Sequence, residues 1–343
     1  MNLFAIIPPD YRDRFLEVPA VPKPAATKKW PNFCEKLVLN TKSATIIKPL
    51  SIETNKYLAG YLDPENLNID STKDLIPVLK QVILESEKLW EGPARGVVLK
   101  CTDNIAVKIV RGEADIHNEY AAIEYLAKYL PDIPAPKPHG LIKLDNTFLL
   151  FMTYFPSTTL KSVWDTLDYE NKIMIQRLLD DIFTKLRQLR RSEEYLDGTT
   201  GEVTEEERFL FRSNESITNI TQPGDLRFSI SQDASPSWKT LLRSFLPNGG
   251  EKYKYVFSHC DVAMKNIMVD INPYDGKYFV SGIVDWETAG FYPEYFEASK
   301  ILGDMNCHTK TDWYAYVPDC IAPATYPVHW LLHTLWQTTV ETS

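Results

Sequence analysis

Residues 257–270 read FSHCDVAMKNIMVD, and here His259, Asp261 and Asn266 stand between two short apolar runs. Asp285 follows, closing the apolar run GIV within YFVSGIVDW. A carboxylate and an amide five residues apart can share one loop. A second carboxylate at the end of the next strand adds another hard oxygen donor of the kind Mg²⁺ prefers. Phosphoryl transfer asks for such a set: groups that hold the cation, a base that points an acceptor hydroxyl in line, and a positive charge for the phosphates. The competing view, that Asp and Asn serve as turn and cap residues, has to explain three of them in order.

The positive charge is Lys108. It lies in the run IAVKIV, where an unpaired ammonium is costly, so an anion is expected to meet it. The alternative is a lysine snorkelling from an edge strand. Glu119 on the next helical segment is the expected partner, with Glu124 on the same helix as the competing choice. Lys108 and Glu119 together would hold the α and β phosphates. Gly92 and Gly96 bracket the segment GPARG, and their missing Cβ lets backbone N–H groups approach a phosphate. His259 reads as a hydrogen-bonded brace rather than a proton shuttle, because hydroxyl phosphorylation needs only weak base help. Glu287 stands either near the metal or as a cap of the following turn.

Folded elements must carry these residues. TKDLIPVLKQVILESEKLW has the apolar spacing of an amphipathic helix ending near Trp90. GVVLKC and IAVKIV, joined by TDN, form a β-branched hairpin. ADIHNEYAAIEYLAKYL is a helix that DIPAPKP terminates. HGLIKLDNTFLLFMTYF gives two strands around Asp145-Asn146. Beyond Pro156 the chain turns mainly helical, led by the amphipathic YENKIMIQRLLDDIFTKLRQLRR. Residues 192–235 are polar without periodicity, SWKTLLRSFL restores a helix, and NIMVDI and YFVSGIVDW form a hairpin around Asp275-Gly276. No internal repeat is present. The organisation expected is α+β: an N-terminal extension over 1–90, a small β-rich lobe with one main helix over 91–155, and a larger helical lobe over 156–343.

Length and charge narrow the function classes. At 343 residues the chain is long enough for about two domains of roughly 150 each. Its formal net charge of −9 argues against nucleic acid, which is bound by clustered Lys and Arg. A neutral or cationic small acceptor suits that charge, which equally serves solubility. Five scattered cysteines without a CxxC pair argue against a disulfide framework and fit a reducing compartment. The first residues lack a signal-peptide pattern, and no apolar run reaches the roughly 18 residues of a membrane helix. The expected location is the cytoplasm, which makes the sequons at Asn214 and Asn219 chance matches. His329 and His333 lie one helical turn apart, with Cys307, His308 and Cys320 upstream, but neither a zinc-protease Glu nor a CxxC pair accompanies them, so packing is the expected role. Trp313, Tyr314, Tyr316, Trp330 and Trp336 either pack the core or wall an acceptor pocket. Asp304, Asp312 and Asp319 either pair with an amine or are solvated surface charges.

The ordered pieces AVK, NEYAAIEYL, FMTYFPSTTL, HCDVAMKNIMVD and GIVDWETAGFYPEYFE span about residues 90 to 310. In that order the chain resembles the aminoglycoside phosphotransferase and choline kinase group of the protein-kinase-like superfamily, and most of all its fungal branch. The resemblance implies a two-lobed fold with ATP between the lobes and adenine against FMTYF, so that Met152, Thr153 and Phe155 contact the nucleotide at a hinge. By position it makes Asp261 the catalytic base, Asn266 and Asp285 the Mg²⁺ ligands, Lys108 the phosphate clamp paired to Glu119, and His259 a brace of the loop. GPARG, with its proline, departs from a full Gly-rich phosphate loop. The implied activity is ATP- and Mg²⁺-dependent phosphorylation of a hydroxyl on an aminoglycoside-, choline- or metabolite-like molecule, by a monomer or weak dimer with no nucleic-acid or membrane partner. A nucleotide-binding pseudokinase or scaffold is the alternative that the irregular phosphate loop motivates. A protein kinase is disfavoured, because GFYPEYFE follows Asp285 directly, without a long activation loop or an Ala-Pro-Glu segment.

Overall fold

Strands rich in β-branched residues build the sheet that carries Lys108. The computed structural model describes residues 34, 37–38, 41–62, 72–92, 96–191, 237, 241, 254–301 and 310–341, all within the unit Phe33–Ser343, with the backbone alone for 72–74, 190–191 and 335–341. The segments 1–33, 192–235, Pro93 to Arg95, most of SWKTLLRSFL, Asn214, Asn219, Asp304, Cys307 and His308 therefore lie outside the described residues. Strands β1 (Ala44–Lys48), β2 (Glu87–Gly92), β3 (Gly96–Lys100), β4 (Ile105–Val110), β5 (Pro138–Leu144) and β6 (Thr147–Thr153) form one antiparallel sheet in the order β1-β5-β6-β4-β3-β2.

The two-residue period of a strand gives this sheet two faces. Val97, Leu99, Val107, Ile109, Leu149 and Phe151 pack against Leu58 of α1 (Ile52–Ala59) and Leu75, Leu79 and Ile83 of α2 (Thr72–Glu85). Val110, Leu141, Phe148, Leu150 and Met152 turn the other way, against Ile116, Tyr120 and Ile123 of α3 (Glu113–Tyr129). Lys108 shares the parity of Val110, so its side chain leaves β4 on the α3 face.

The helix expected to run to Trp90 ends at Glu85 instead. Ser86 closes it by donating its N–H to Val82 O, and residues 87–92 become β2, where Trp90 pairs with Val98. The edge of β3 offers unpaired backbone groups, and Leu89 and Trp90 suit a strand better than another helical turn. The three expected hairpins are present. Thr102 Oγ1 accepts the N–H groups of Asn104 and Ile105 in the first. Asp145 turns the second at φ 52°, and Gly276 turns the third at φ 69°.

Beyond Thr153 come β7 (Thr158–Thr159), α4 (Leu160–Val163) and α5 (Tyr169–Leu186). Asp168 caps α5 by accepting the Asn171 N–H at 2.8 Å, and Ile175, Leu179, Phe183 and Leu186 bury its inward stripe. Then follow β8 (Arg190–Arg191), β9 (Tyr255–Ser258), β10 (Ile267–Ile271), β11 (Tyr278–Ile283), β12 (Gly290–Pro293), α6 (Phe296–Lys300) and α7 (Pro327–Glu341). They give two small sheets, β11-β10-β7 and β12-β9-β8, packed with the helices. The architecture is α+β, as expected: a six-stranded sheet with α1 and α2 on one face and α3 on the other, followed by helices and two small sheets. Among the described residues no helix is long and apolar enough to cross a membrane.

Candidate active site

The loop after β9 is held in a conformation that side chains rarely adopt. Cys260 has φ 65° and Asp285 has φ 68°, left-handed values that cost about 1–3 kcal/mol each for such residues. Glu297, buried on α6, secures the first of them: its two carboxylate oxygens accept the N–H groups of His259 at 2.7 Å and Cys260 at 2.8 Å. Burial pushes its carboxyl up to about 7 despite those two donors. Thr288 Oγ1 donates to His259 O at 2.9 Å from the other side.

His259 is fully buried and its two nitrogens have fixed roles. A carbonyl only accepts and a backbone N–H only donates, so Nε2 gives its proton to Val284 O at 3.0 Å and Nδ1 accepts from Asp261 N at 3.1 Å. Burial holds the ring below the ordinary histidine range, hence neutral. The imidazole, set against Trp286 at 4.5 Å, ties the two halves of the site together.

Asp261 and Asn266 are joined directly. Asn266 Nδ2 donates to both the Asp261 carbonyl and Asp261 Oδ2 at 2.9 Å, which leaves the amide oxygen of Asn266 for another partner. Val284 N–H donates to Asn266 O at 2.9 Å, so the chain entering Asp285 is fastened to the chain leaving Asn266.

Lys108 meets this assembly from β4. Its Nζ lies 2.6 Å from Asp285 Oδ1, 2.8 Å from Glu119 Oε2 and 2.9 Å from Glu287 Oε2. Burial opposes the Lys108 charge, but the three carboxylates outweigh it and raise the ammonium above the usual lysine range. Burial likewise works against the Asp285 charge, and Lys108 overcomes it and holds that carboxyl low. Glu119, with 1% exposure, is pushed up by burial more than Lys108 pulls it down. Glu124 instead accepts the Tyr120 hydroxyl. Asn118, buried beside Glu119, donates to Glu287 O at 2.7 Å and Ala289 O at 2.9 Å and so fixes the chain that presents Glu287.

Three carboxylates around one ammonium leave the cluster with excess negative charge in a partly buried place. Their oxygens lie within 4.8 Å of one another, close enough to hold a metal ion together. Carboxylate oxygens are hard donors of the kind that suit Mg²⁺.

The other expected site residues lie on β2, β3 and β6 and just beyond β6. Met152 and Thr153 end β6, opposite Ala106 and Ile105, and Thr153 Oγ1 accepts the Lys137 N–H. Tyr154 N–H donates to Asn104 O, and the Phe155 ring lies so near Gly282 that a Cβ there would stand 2.8 Å from it. Gly92 and Gly96 pair at the β2–β3 end. Gly96 has φ 131°, and a Cβ would come 2.1 Å from Ile109 O, so the neighbouring strand itself demands glycine. Sequence reasoning missed Glu297 and Asn118: an acid and an amide inside helical segments look like surface residues until their backbone partners are seen.

In the C-terminal segment, Trp313 and Tyr316 pack edge-on against Trp164, while Tyr314 is exposed. Asp312 accepts from Trp164 Nε1 at 2.7 Å and Lys172 Nζ at 2.9 Å, and Lys172 chiefly holds its carboxyl low. Its amine is therefore supplied by the protein. Asp319 is exposed. His329 stacks on Tyr295 at 4.0 Å, and burial lowers both it and His333 to about 4; neither joins a metal-binding group among the described residues. A cavity of about 410 Å³ opens between α1, the end of α2 and the β3–β4 turn, walled by Tyr57, Tyr61 and Cys101, and none of the expected site residues lines it.

No curated protein matches the chain. Among solved structures, an aminoglycoside 2'-phosphotransferase IIIa variant bound to GDP is 14% identical over 74% of this chain and 82% of its own, with a TM-score of 0.45. An aminoglycoside-3'-phosphotransferase of type VIII is 15% identical over 74% and 93%, at 0.44. The phosphotransferase APH(3'')-Id of Streptomyces rimosus is 15% identical over 73% and 92%, at 0.41. The sequence model of the phosphotransferase enzyme family, APH, matches residues 98–317, well over half of the chain and the whole span from β3 to the Asp312 segment, and the protein belongs to that family.

Proposed function

We propose that this protein transfers the γ-phosphoryl group of ATP to a hydroxyl of a small molecule, with Mg²⁺ held by Asp285 and Asn266. The observation that carries the reading is the meeting of Lys108 from the sheet with Asp285 at 2.6 Å, beside an Asp261 hydrogen-bonded to Asn266. Mg²⁺, when bound, neutralises phosphate charge. Lys108 keeps its ion pair with Glu119 and turns its remaining donors from Asp285 and Glu287 to phosphate oxygens. Asp261 takes the hydroxyl proton while the acceptor oxygen bonds to phosphorus, and the bond to the departing diphosphate breaks with its electron pair on that leaving oxygen. His259 and Glu297 keep Asp261 in position. Met152, Thr153 and Phe155 seat the base of the nucleotide.

Alignment of the reacting atoms can lower the barrier by about 7–11 kcal/mol, and the base adds about 10²–10⁴-fold. The negative charge of the chain suits a neutral or cationic acceptor. The experiment is γ-phosphate transfer from labelled ATP across a panel of aminoglycosides, choline-like alcohols, sugars and other hydroxylated metabolites, with Asp261→Asn as control. Transfer to a small alcohol that the variant loses supports the reading. Transfer to a protein mixture alone, or transfer that Asp261→Asn leaves intact, contradicts it.

A further inference from the structure

The cavity of about 410 Å³ between α1, the end of α2 and the β3–β4 turn takes part in no step of the reaction proposed above. Its size is that of a small-molecule site. Tyr57 and Tyr61 wall it, their rings edge to face at 86° with 5.4 Å between centres. Their hydroxyls are 3.2 Å apart, and Ser86 Oγ lies 3.4 Å from that of Tyr57. Glu85, Glu87 and Asp103 bring three carboxylates to the same walls against one ammonium, that of Lys100. Asp103 takes this ammonium at 2.8 Å, and among the described residues neither glutamate is in an ion pair. Carboxylates on an open surface are a solvated face and nothing more. Joined in one cavity to two phenol rings, whose faces are electron-rich, they favour an organic cation over a neutral or anionic guest.

The same walls reach the segment that follows β6. Asn104, next to Asp103 in the β3–β4 turn, accepts the Tyr154 N–H at 2.9 Å. Lys100 Nζ, held by Asp103, stands 5.2 Å from the centre of the Tyr154 ring. Tyr154 lies between Thr153 and Phe155, two of the residues assigned above to the base of the nucleotide. An ammonium ligand at Asp103 competes with Lys100 and loosens its hold on Tyr154. We propose that this cavity is an effector site for a small organic ammonium ion, whose binding weakens nucleotide binding through the β3–β4 turn. The site stands independently of the phosphotransfer reading, and only its effect rests on the nucleotide of that reading.

Benzyltrimethylammonium is the probe, with N,N-dimethylbenzamide and benzenesulfonate as its neutral and anionic counterparts, and none of the three has a hydroxyl to phosphorylate. Each is titrated by calorimetry into full-length wild type, Glu87→Gln and Tyr61→Leu, and into Glu170→Gln, which removes one charge from an exposed position on α5. Thermal unfolding verifies that each variant is folded. MgATP is then titrated into wild type with increasing amounts of probe. The cation alone should bind, about fivefold more weakly to Glu87→Gln and to Tyr61→Leu, and to Glu170→Gln as to wild type. It should lower MgATP affinity by about fivefold or more, to a level that further probe does not change. No binding of the cation, binding indifferent to the charge of the probe, binding that Glu87→Gln or Tyr61→Leu leaves intact, or an equal loss in Glu170→Gln overturns the site. MgATP affinity that the probe leaves untouched, or that keeps falling as direct competition requires, overturns the effector role. A wild type that binds the cation but not MgATP overturns the phosphotransfer reading and the effector role with it, and the separate titrations keep that failure apart from failure of the site.

Discussion

Lys108 Nζ lies 2.6 Å from Asp285 Oδ1, and this contact ties an inner strand of the six-stranded sheet to the chain that follows β11. Two elements that are 177 residues apart in sequence are thereby held at one point. Hydrogen bonds among backbone groups and buried side chains then fix everything on the Asp285 side, from Val284 to Asn266 and from His259 to Glu297.

Removing the ammonium leaves Glu119 buried without its cation. Lys108→Met should destabilise the fold by about 3–5 kcal/mol near neutral pH. The deficit should shrink in acid, where Glu119 is protonated and needs no partner. Chemical denaturation of both proteins from pH 4 to pH 8 measures it, and a deficit that stays constant across this range would count against a charged Glu119.

Glu297 gives the fold its own pH dependence. Burial raises its carboxyl from an ordinary 4.5 to about 7, so between those values the folded state holds a proton that the unfolded state has lost. Its contribution is present in full below the ordinary carboxylate range and is lost as pH rises through about 7, a total of about 3 kcal/mol. Glu297→Gln, unable to ionise, should remove that slope from a series of melting temperatures. It should also lower turnover, since the amide offers one acceptor oxygen where the carboxylate gave His259 and Cys260 two.

Gly96 tests the sheet rather than the chemistry. Gly96→Ala would place a methyl 2.1 Å from Ile109 O at φ 131°, and the strand β4 that it strikes is the one carrying Lys108. A loss of about 3 kcal/mol or more is expected, together with weaker nucleotide binding. Wild-type stability in the alanine variant would show that the β2–β3 end rearranges freely.

Much of this was legible in the sequence because it is local. Hairpins announce themselves through Asp145-Asn146 and Asp275-Gly276, and α5 through its apolar stripe. Asp261, Asn266 and Asp285 could be grouped because one loop and one strand separate them. The end of α2 was misjudged, because LESEKLW satisfies helical spacing and only the free edge of β3 turns Glu87–Gly92 into a strand. The partners of Glu297, Asn118 and Glu287 were hidden for a related reason. Each acts on backbone groups or a lysine far away in the chain, and no spacing rule reports such contacts.

The most direct measurement is calorimetric titration of ATP into wild type and Asp285→Asn, each with and without Mg²⁺. Wild type should bind ATP and bind it more tightly with the metal, while Asp285→Asn should lose that dependence. A wild type that does not bind ATP, or one whose affinity is indifferent to Mg²⁺, would contradict the account.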